Sequence, residues 1–439
     1  MSNPFAVSDP IGAANPLATP DQRDAEALGL RLFEAPEVRA AREQARAILL
    51  ADPVARTIDG RVHLERALDL WLRALVMRET NADPARPRIT WAVDNAPHEW
   101  FGCVYPGAGM GIDNPDNIHR EIPICGDSEY EITGCYSAHR TANFSFKLEV
   151  EPADHAGIDR HLFMLTTQEI VADERGRFLI TLSRASAEGR RNHIQIGAEP
   201  WQTLWIRDSR SDWAQTVTTL SVRRTAGPDP ARPRTESEIA ERIAGFLPAY
   251  IRFWSGFKNG FLDHPAPNKV VGPIGRQANW GFLAGGRYHL AADEALVVTT
   301  TDGGARYRGF QVTDPWTMAP DPVYRQSSLN TSQQAANSDG STTFVVSQLD
   351  PGVHNWIDTV GLSEGWFLLR WQGFPGPAGA EGLVRDCRVV PLGELPRALP
   401  AGCPQVTLAQ RREQVRRRIA QHALCTATGT AVQATRTAV

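Results

Sequence analysis

At 439 residues the chain is two to three times the length of a typical domain, which suggests two or three domains and no dependence on disulfides for stability. Apolar residues at 42% and charged residues at 22% exclude a disordered tail, a collagen-like rod and a coiled coil. Lys+Arg 46 against Asp+Glu 50 leaves a formal charge of −4, so no global attraction to nucleic acid or an anionic membrane is expected.

The opening residues, rich in Pro, Ala, Asn and Asp, have no periodicity, and residues 1–22 are expected to form a flexible arm. Residues 23–90 are expected to be helical: Val38, Ala41, Ala45, Ile48 and Leu49 recur at helical spacing, as do Leu64, Leu68, Trp71 and Leu75. Two amphipathic helices therefore open the protein. From Trp91 the period changes to two. Phe144, Phe146, Leu148 and Val150 alternate with Asn143, Ser145, Lys147, Glu149 and Glu151, the pattern of a half-buried antiparallel strand. Further short runs around Ile180, Ile194 and Leu220 complete a first β-sandwich over 91–226.

A helical connector over 227–285 begins at a capping box, Thr235-x-x-Glu238, and Ile239, Ile243, Phe246, Tyr250, Phe253 and Phe257 give it an aromatic face expected to pack on a sheet. Pro248 should kink that helix. A second β-sandwich is expected over 286–400 and a C-terminal helix and tail over 401–439, with the arginines of the helix in water opposite Leu408, Val415 and Ile419. The fold class is thus mainly β with flanking helices: two sandwich domains, a helical N-terminal segment, a helical connector and a C-terminal helix.

Without a basic region followed by an apolar run, or 18 uninterrupted apolar residues, the chain reads as cytoplasmic, without a Sec-type signal or membrane span. Cys103, Cys125, Cys135, Cys387, Cys403 and Cys425 show no C-x-x-C spacing; reduced, mostly buried thiols are expected and structural zinc is not.

The stretch Gly111-Ile-Asp-Asn-Pro-Asp-Asn-Ile-His-Arg, with Gly126-Asp127 and Tyr130-Glu-Ile-Thr-Gly134, resembles bacterial proteins of the domain of unknown function 1214 family. Ser328-Leu-Asn330, Asp339-Gly340, Asp350-Pro-Gly-Val-His-Asn-Trp356, Asp358, Gly361, Gly365 and Arg370-Trp371 carry the same resemblance in the second half. At His119 the chain departs from the pattern, which often has an aromatic there. The resemblance implies jelly-roll-like sandwiches and no established reaction.

No nucleophile elbow, Walker loop, dinucleotide fingerprint, HExxH, EF-hand or H-x-H occurs, so neither an organic cofactor nor a metal is expected. Two clusters remain. His119 and Glu121, two apart on a strand, share a face and could exchange protons, with Asn114 and Asp116 beside them as substrate contacts. His354 lies between Asp350 and Asp358, the ingredients of an acid–base pair, with Asn355 and Trp356 as neighbours. The alternative for both clusters is structural: Asx turns and strand-end hydrogen bonds. Arg370 could contact an anion, and Trp280 belongs to a surplus of tryptophans, 12 in all, that could line an interdomain pocket. The functional expectation is an enzyme of hydrolase, lyase or isomerase type acting on a hydrophobic small molecule, such as a terpenoid, steroid or aromatic compound, by acid–base chemistry. The competing expectation is a non-catalytic ligand-binding or assembly protein. A small-molecule partner is expected in either case, with no nucleic acid and no membrane; a homo-oligomer is left open.

Overall fold

Three helices, rather than two, open the described chain. In the computed structural model, which describes residues 15–257, 266–277 and 280–427, helix α1 (Pro20–Phe33) begins inside the expected arm. Thr19 Oγ1 accepts from Gln22 N at 3.1 Å and Pro20 occupies the first turn, both start signals. Just before it Leu17 is buried and Asn15 Nδ2 donates to the carbonyls of Cys425 and Ala427, so residues 15–22 are fastened down; the rest of the expected arm, 1–14, and the tail 428–439 lie outside the described residues.

Helices α2 (Pro36–Ala51) and α3 (Ile58–Thr80) follow the expected spacing, joined by a 3-10 turn at Pro53–Arg56. Helix α4 (Glu236–Gly256) has the expected capping box and runs on through Pro248. Its buried Ile239, Ile243, Leu247 and Tyr250 pack with α2 and α3, whose apolar stripes they cover, while Phe257 at its end packs against Trp366 and Leu368 of the second sandwich.

The first sandwich comprises β1 (Thr90–Val93), the hairpin β2 (His98–Trp100) and β3 (Cys103–Tyr105), β4 (Asn117–Ile124), β5 (Glu129–Cys135), β6 (Asn143–Val150), β7 (Arg160–Thr166), β8 (Arg177–Ser183), β9 (His193–Gln195), β10 (Gln202–Ser209) and β11 (Thr219–Ala226). One layer has the order β1-β4-β10-β6-β7 and the other β11-β5-β8-β9, around a core that includes Ile122, Phe146, Leu148, Ile180 and Leu204.

The second sandwich comprises β12 (Val271–Gly275), β13 (Gly281–His289), β14 (Glu294–Thr300), β15 (Tyr307–Thr313), β16 (Ser328–Asn330), β17 (Thr342–Ser347), β18 (Trp356–Asp358), β19 (Glu364–Gln372) and β20 (Val384–Pro391). Its layers are β12-β13-β19-β15-β16 and β18-β17-β14-β20. Strands β12 and β13 lie in the Gly/Pro-rich stretch assigned above to the connector, so the sandwich starts earlier than the sequence suggested.

Counted from β4 and from β13, the eight strands of each half have the same arrangement: 1-7-3-4 in one layer and 8-2-5-6 in the other. In both halves strands 5 and 6 pair in parallel, and an extra strand, β1 or β12, flanks strand 1. Most successive strands cross between layers, while strands 3 and 4 stay within one and strands 5 and 6 within the other. The fold is therefore a duplicated β-sandwich with helices packed around it.

A short helix, α5 (Leu395–Ala398), leads to α6 (Leu408–Thr426), which meets the expectation in part: Arg412, Arg416 and Arg417 are exposed, but Leu408, Arg411 and Arg418 are not placed as expected. Leu408 is 65% exposed while Arg411 and Arg418 are 5% and 2% exposed. Arg418 donates to the carbonyls of Pro322 and Ser328, and Arg411 to Asp350 and the carbonyl of Val353, so these two arginines fasten the helix to the rim of the second sandwich. Among the described residues the six cysteines form no disulfide, and only Cys403 and Cys425 are buried. Among the described residues no helix is long and apolar enough to cross a membrane.

Candidate functional site

The outward face of β6 does not meet water. Asn143, Ser145, Glu149 and Glu151, expected to be solvated, are all buried, because the β1–β7 layer of the first sandwich faces the β12–β16 layer of the second. Polar bonds join the two layers: Ser209 Oγ donates to Gln372 Oε1 at 2.8 Å, and Gln311 Nε2 to the Asp113 carbonyl at 2.8 Å. Tyr307 Oη, on β15, accepts from Asn114 Nδ2 at 2.7 Å and donates to Asp116 Oδ2 at 2.9 Å. The 111–116 stretch is thus a strap across the joint.

Between the layers lies a cavity of about 200 Å³. β4 supplies His119, β6 Lys147 and Glu149, and β10 Trp205 and Arg207; from the other side come Leu283 of β13 and Arg370 of β19. Helix α4 contributes Trp254, while Arg276 and Trp280 flank the turn after β12. The alternation of each strand places these side chains here, since Trp205, Arg207 and His119 share a face once β10 and β4 are paired with Arg207 opposite His119.

Aromatic and cationic groups are interleaved in the wall. The Arg276 guanidinium lies 4.1 Å from the centre of the Trp280 ring and that of Arg207 at 5.2 Å, within cation–π range. Lys147 is paired with Glu149. Arg370 donates to two neutral acceptors, Gln311 Oε1 at 2.5 Å and the Ile112 carbonyl at 2.7 Å. Asp113 Oδ2 accepts from the backbone N–H groups of Met110 and Gly111. Burial, then the charges of Arg207, Arg370 and Arg276, hold the His119 imidazole well below its ordinary range, so it is neutral near pH 7. Burial and the nearby Arg207 and Arg370 push the Arg276 guanidinium down to about 9. Among the described residues His119 has no hydrogen-bond partner for its ring; Trp205 meets it edge-on with centroids 6.5 Å apart.

Of the residues singled out from the sequence, the cavity brings together His119, Asn114, Trp280 and Arg370. Glu121 is diverted behind the wall: its Oε2 accepts from Arg78 Nε of α3 at 2.8 Å. Asp116 is committed to Tyr307 and to Trp213 Nε1, at 2.8 Å. The His354 cluster lies elsewhere and each member has a structural partner. Asp350 is bound by Arg411, Asp358 by Arg325 at 2.6 Å, and Trp356 Nε1 by Ser347. Asn355 is fully buried and bonds both the N–H and the C=O of Ala335. His354 itself contacts the Gln333 carbonyl and the amide of Gln414, and these bonds dock α6 and the neighbouring loop. Each member of this cluster thus has a bond of the kind the structural alternative expected, and none of them lines the cavity between the sandwiches.

Sequence reasoning missed Lys147, Trp205, Trp254, Arg207 and Arg276. Lys147, one of three lysines and placed mid-strand in an unbroken alternation, carried the available signal. Among the described residues no group of three or more His, Cys, Asp or Glu side chains is placed to hold a metal ion.

No family model matches the chain, and no curated protein does. Among solved structures it is similar to an uncharacterised protein from Burkholderia cenocepacia, with TM-score 0.67 and 22% identity over 83% of this chain and 99% of that one. A weaker likeness, TM-score 0.37 and 9% identity, is to the VPA0106 protein from Vibrio parahaemolyticus, over 64% of this chain and 90% of that one. At this level of identity the Burkholderia likeness establishes the shared fold: a mainly β, double-sandwich architecture.

Proposed function

We propose that the protein is an enzyme that acts on a small molecule held between the two sandwiches, by acid–base chemistry and without an organic cofactor. The observation that carries this reading is His119: a neutral imidazole without a hydrogen-bond partner in the wall of a half-open, tryptophan-lined cavity. A neutral imidazole can accept a proton from a bound substrate and return it, the step shared by isomerases, lyases and many hydrolases. Trp205, Trp254 and Trp280 supply the flat apolar surface that an aromatic or similarly hydrophobic substrate would cover. The cavity is below the roughly 300 Å³ usual for drug-sized ligands, which favours a compact substrate over a steroid.

The resemblance to the domain of unknown function 1214 family, a cytoplasmic setting and a small molecule rather than nucleic acid as partner belong to the same proposal. The test is a metabolite screen read by mass spectrometry, comparing the wild type with His119→Gln and His354→Gln. Turnover should vanish in the first and persist in the second, with both variants folded by circular dichroism. Turnover that survives His119→Gln would reject the reading. Stoichiometric binding with no conversion of any screened compound would favour the ligand-binding alternative, for which the same cavity would serve.

A further inference from the structure

Each carboxylate near the cavity is bonded to a group other than the cavity arginines, though Glu121 Oε1 has no hydrogen-bond partner among the described residues. Glu149 is taken by Lys147, Glu121 and Glu151 by Arg78 behind the wall, and Asp113 by two backbone N–H groups. Three arginines nevertheless converge on the cavity, and among the described residues none of them forms an ion pair. Nη1 of Arg207 is buried with no hydrogen-bond partner, as are the indole N–H groups of Trp254 and Trp280 in the same wall. Arg370 finds only neutral acceptors. Burying a cation without a counter-charge is costly, and a buried donor left unsatisfied costs more than its bond would have gained. Such an arrangement is stable when a ligand brings the missing charge, and the planar guanidinium suits an oxyanion.

We infer that the molecule bound between the sandwiches carries an oxyanion, a carboxylate or a phosphate, on a compact apolar body, with Arg207 and Arg276 receiving the anion and Trp280 stacked beside them. Arg370, held by Gln311 and Ile112, adds its charge from the opposite sheet. The inference rests on the cavity being the ligand site, and it names the substrate class. With the anion anchored at Arg207, which is paired across from His119 in the sheet, the imidazole faces the ligand body rather than its charged end. His119 is then placed to move a proton on a carbon or leaving-group atom near the anion.

The experiment is calorimetric titration of the full chain with benzoate, phenyl phosphate and the neutral benzamide. At least one of the two anions should bind, at least tenfold more tightly than benzamide, and the preferred anion identifies carboxylate or phosphate. Arg276→Gln and Arg207→Gln should each weaken that anion at least tenfold, while Arg276→Lys, which keeps the charge, loses less. Melting temperature checks that each variant is folded; if Arg207→Gln fails to fold, Arg276→Gln, in a turn outside the sheet, decides alone. Equal binding of benzamide, no binding of either anion, or anion affinity unchanged in folded Arg276→Gln overturns the inference. His119→Gln separates it from the acid–base reading: anion binding retained with turnover unaffected would sink the chemistry and leave the anion site standing.

Discussion

Replacing Arg78 by methionine tests how the cavity floor is held. Arg78, 4% exposed on α3, donates from Nε to Glu121 Oε2 at 2.8 Å and from Nη2 to Glu151 Oε2 at 2.6 Å, and its guanidinium lies 5.0 Å from the ring centre of Trp205. Glu151 in turn accepts from Trp205 Nε1 at 2.9 Å, so one buried cation fixes two carboxylates and a cavity tryptophan. Burial opposes ionisation of Glu151, but Arg78 and His155 outweigh it and bring its carboxyl from an ordinary 4.5 down to about 2. At about 1.36 kcal/mol per pH unit that difference is on the order of 3 kcal/mol, present above pH 4.5 and lost as pH falls through 2. Removing one partner of a buried pair costs about 3–5 kcal/mol, a matching range. In Arg78→Met the Glu151 carboxyl loses its main counter-charge and rises, and Glu121, which burial already holds above its ordinary value, rises further. The deficit should then be about 3–5 kcal/mol at pH 7.5 and shrink by about 1–2 kcal/mol at pH 5.5 as protonation relieves it. Urea unfolding followed by tryptophan fluorescence at the two pH values measures this. A deficit independent of pH, or below about 1 kcal/mol, would refute the assignment of Arg78 as the main neutraliser of that floor.

Two further predictions concern the edges of the helical layer. His98 lies between Glu26, at 3.0 Å, and Asp94, at 3.7 Å; burial opposes its charge, but the carboxylates prevail and raise it to about 9. Its folded value exceeds the ordinary 6.5, so the stabilisation is full below pH 6.5 and lost as pH rises through 9, up to about 3 kcal/mol, and His98→Gln should lack that slope in denaturant titrations across the window. Arg418→Met leaves the Pro322 and Ser328 carbonyls without their buried donor, at about 1–3 kcal/mol each, and should make α6 the first site of proteolytic nicking by mass spectrometry; an unchanged cleavage pattern would count against the docking role.

The periodicity of β6 identified its inner face correctly, since Phe144, Phe146 and Leu148 are in the first core. The same alternation misplaced its other face. A polar face buried against a second polar layer, with a charged cavity between, has the composition of one turned to water, and only the partner sheet distinguishes them. β13 was hidden for another reason. Glycines that looked like connector are there for close approach: a Cβ on Gly286 would sit 2.1 Å from the Lys269 carbonyl oxygen, and one on Gly281 1.9 Å from that of Trp371. The bonds of the Asp350–Asp358 cluster were not legible because its partners, Arg411 and Gln414, lie on a helix some sixty residues away, and nothing local reveals them. The duplication left no trace in residue patterns because only strand order is repeated.

That duplication makes the joint between the two equivalent layers the point where the site can be perturbed without touching its lining. Gly309 on β15 is tightest: a Cβ there would meet Tyr307 Oη at 2.2 Å and Asp116 Oδ2 at 3.2 Å. Tyr307 cannot yield freely, because its hydroxyl is held by Asn114 and Asp116 of the strap that also carries Asp113 to the cavity. Gly309→Ala should therefore cost about 1–3 kcal/mol, the range for overpacking, and should also weaken binding in the cavity. The hydroxyl is the nearest obstacle, with the ring Cζ next at 2.9 Å, so removing it should relieve most but not all of the clash. In a Tyr307→Phe background, where Asn114 and Asp116 have already lost that bond, Gly309→Ala should cost at least 1 kcal/mol less than in the wild type, a coupling that a double-mutant cycle resolves. Strict additivity of the two substitutions would mean that the layers adjust around Gly309 and that the Tyr307 joint does not set the width of the cavity.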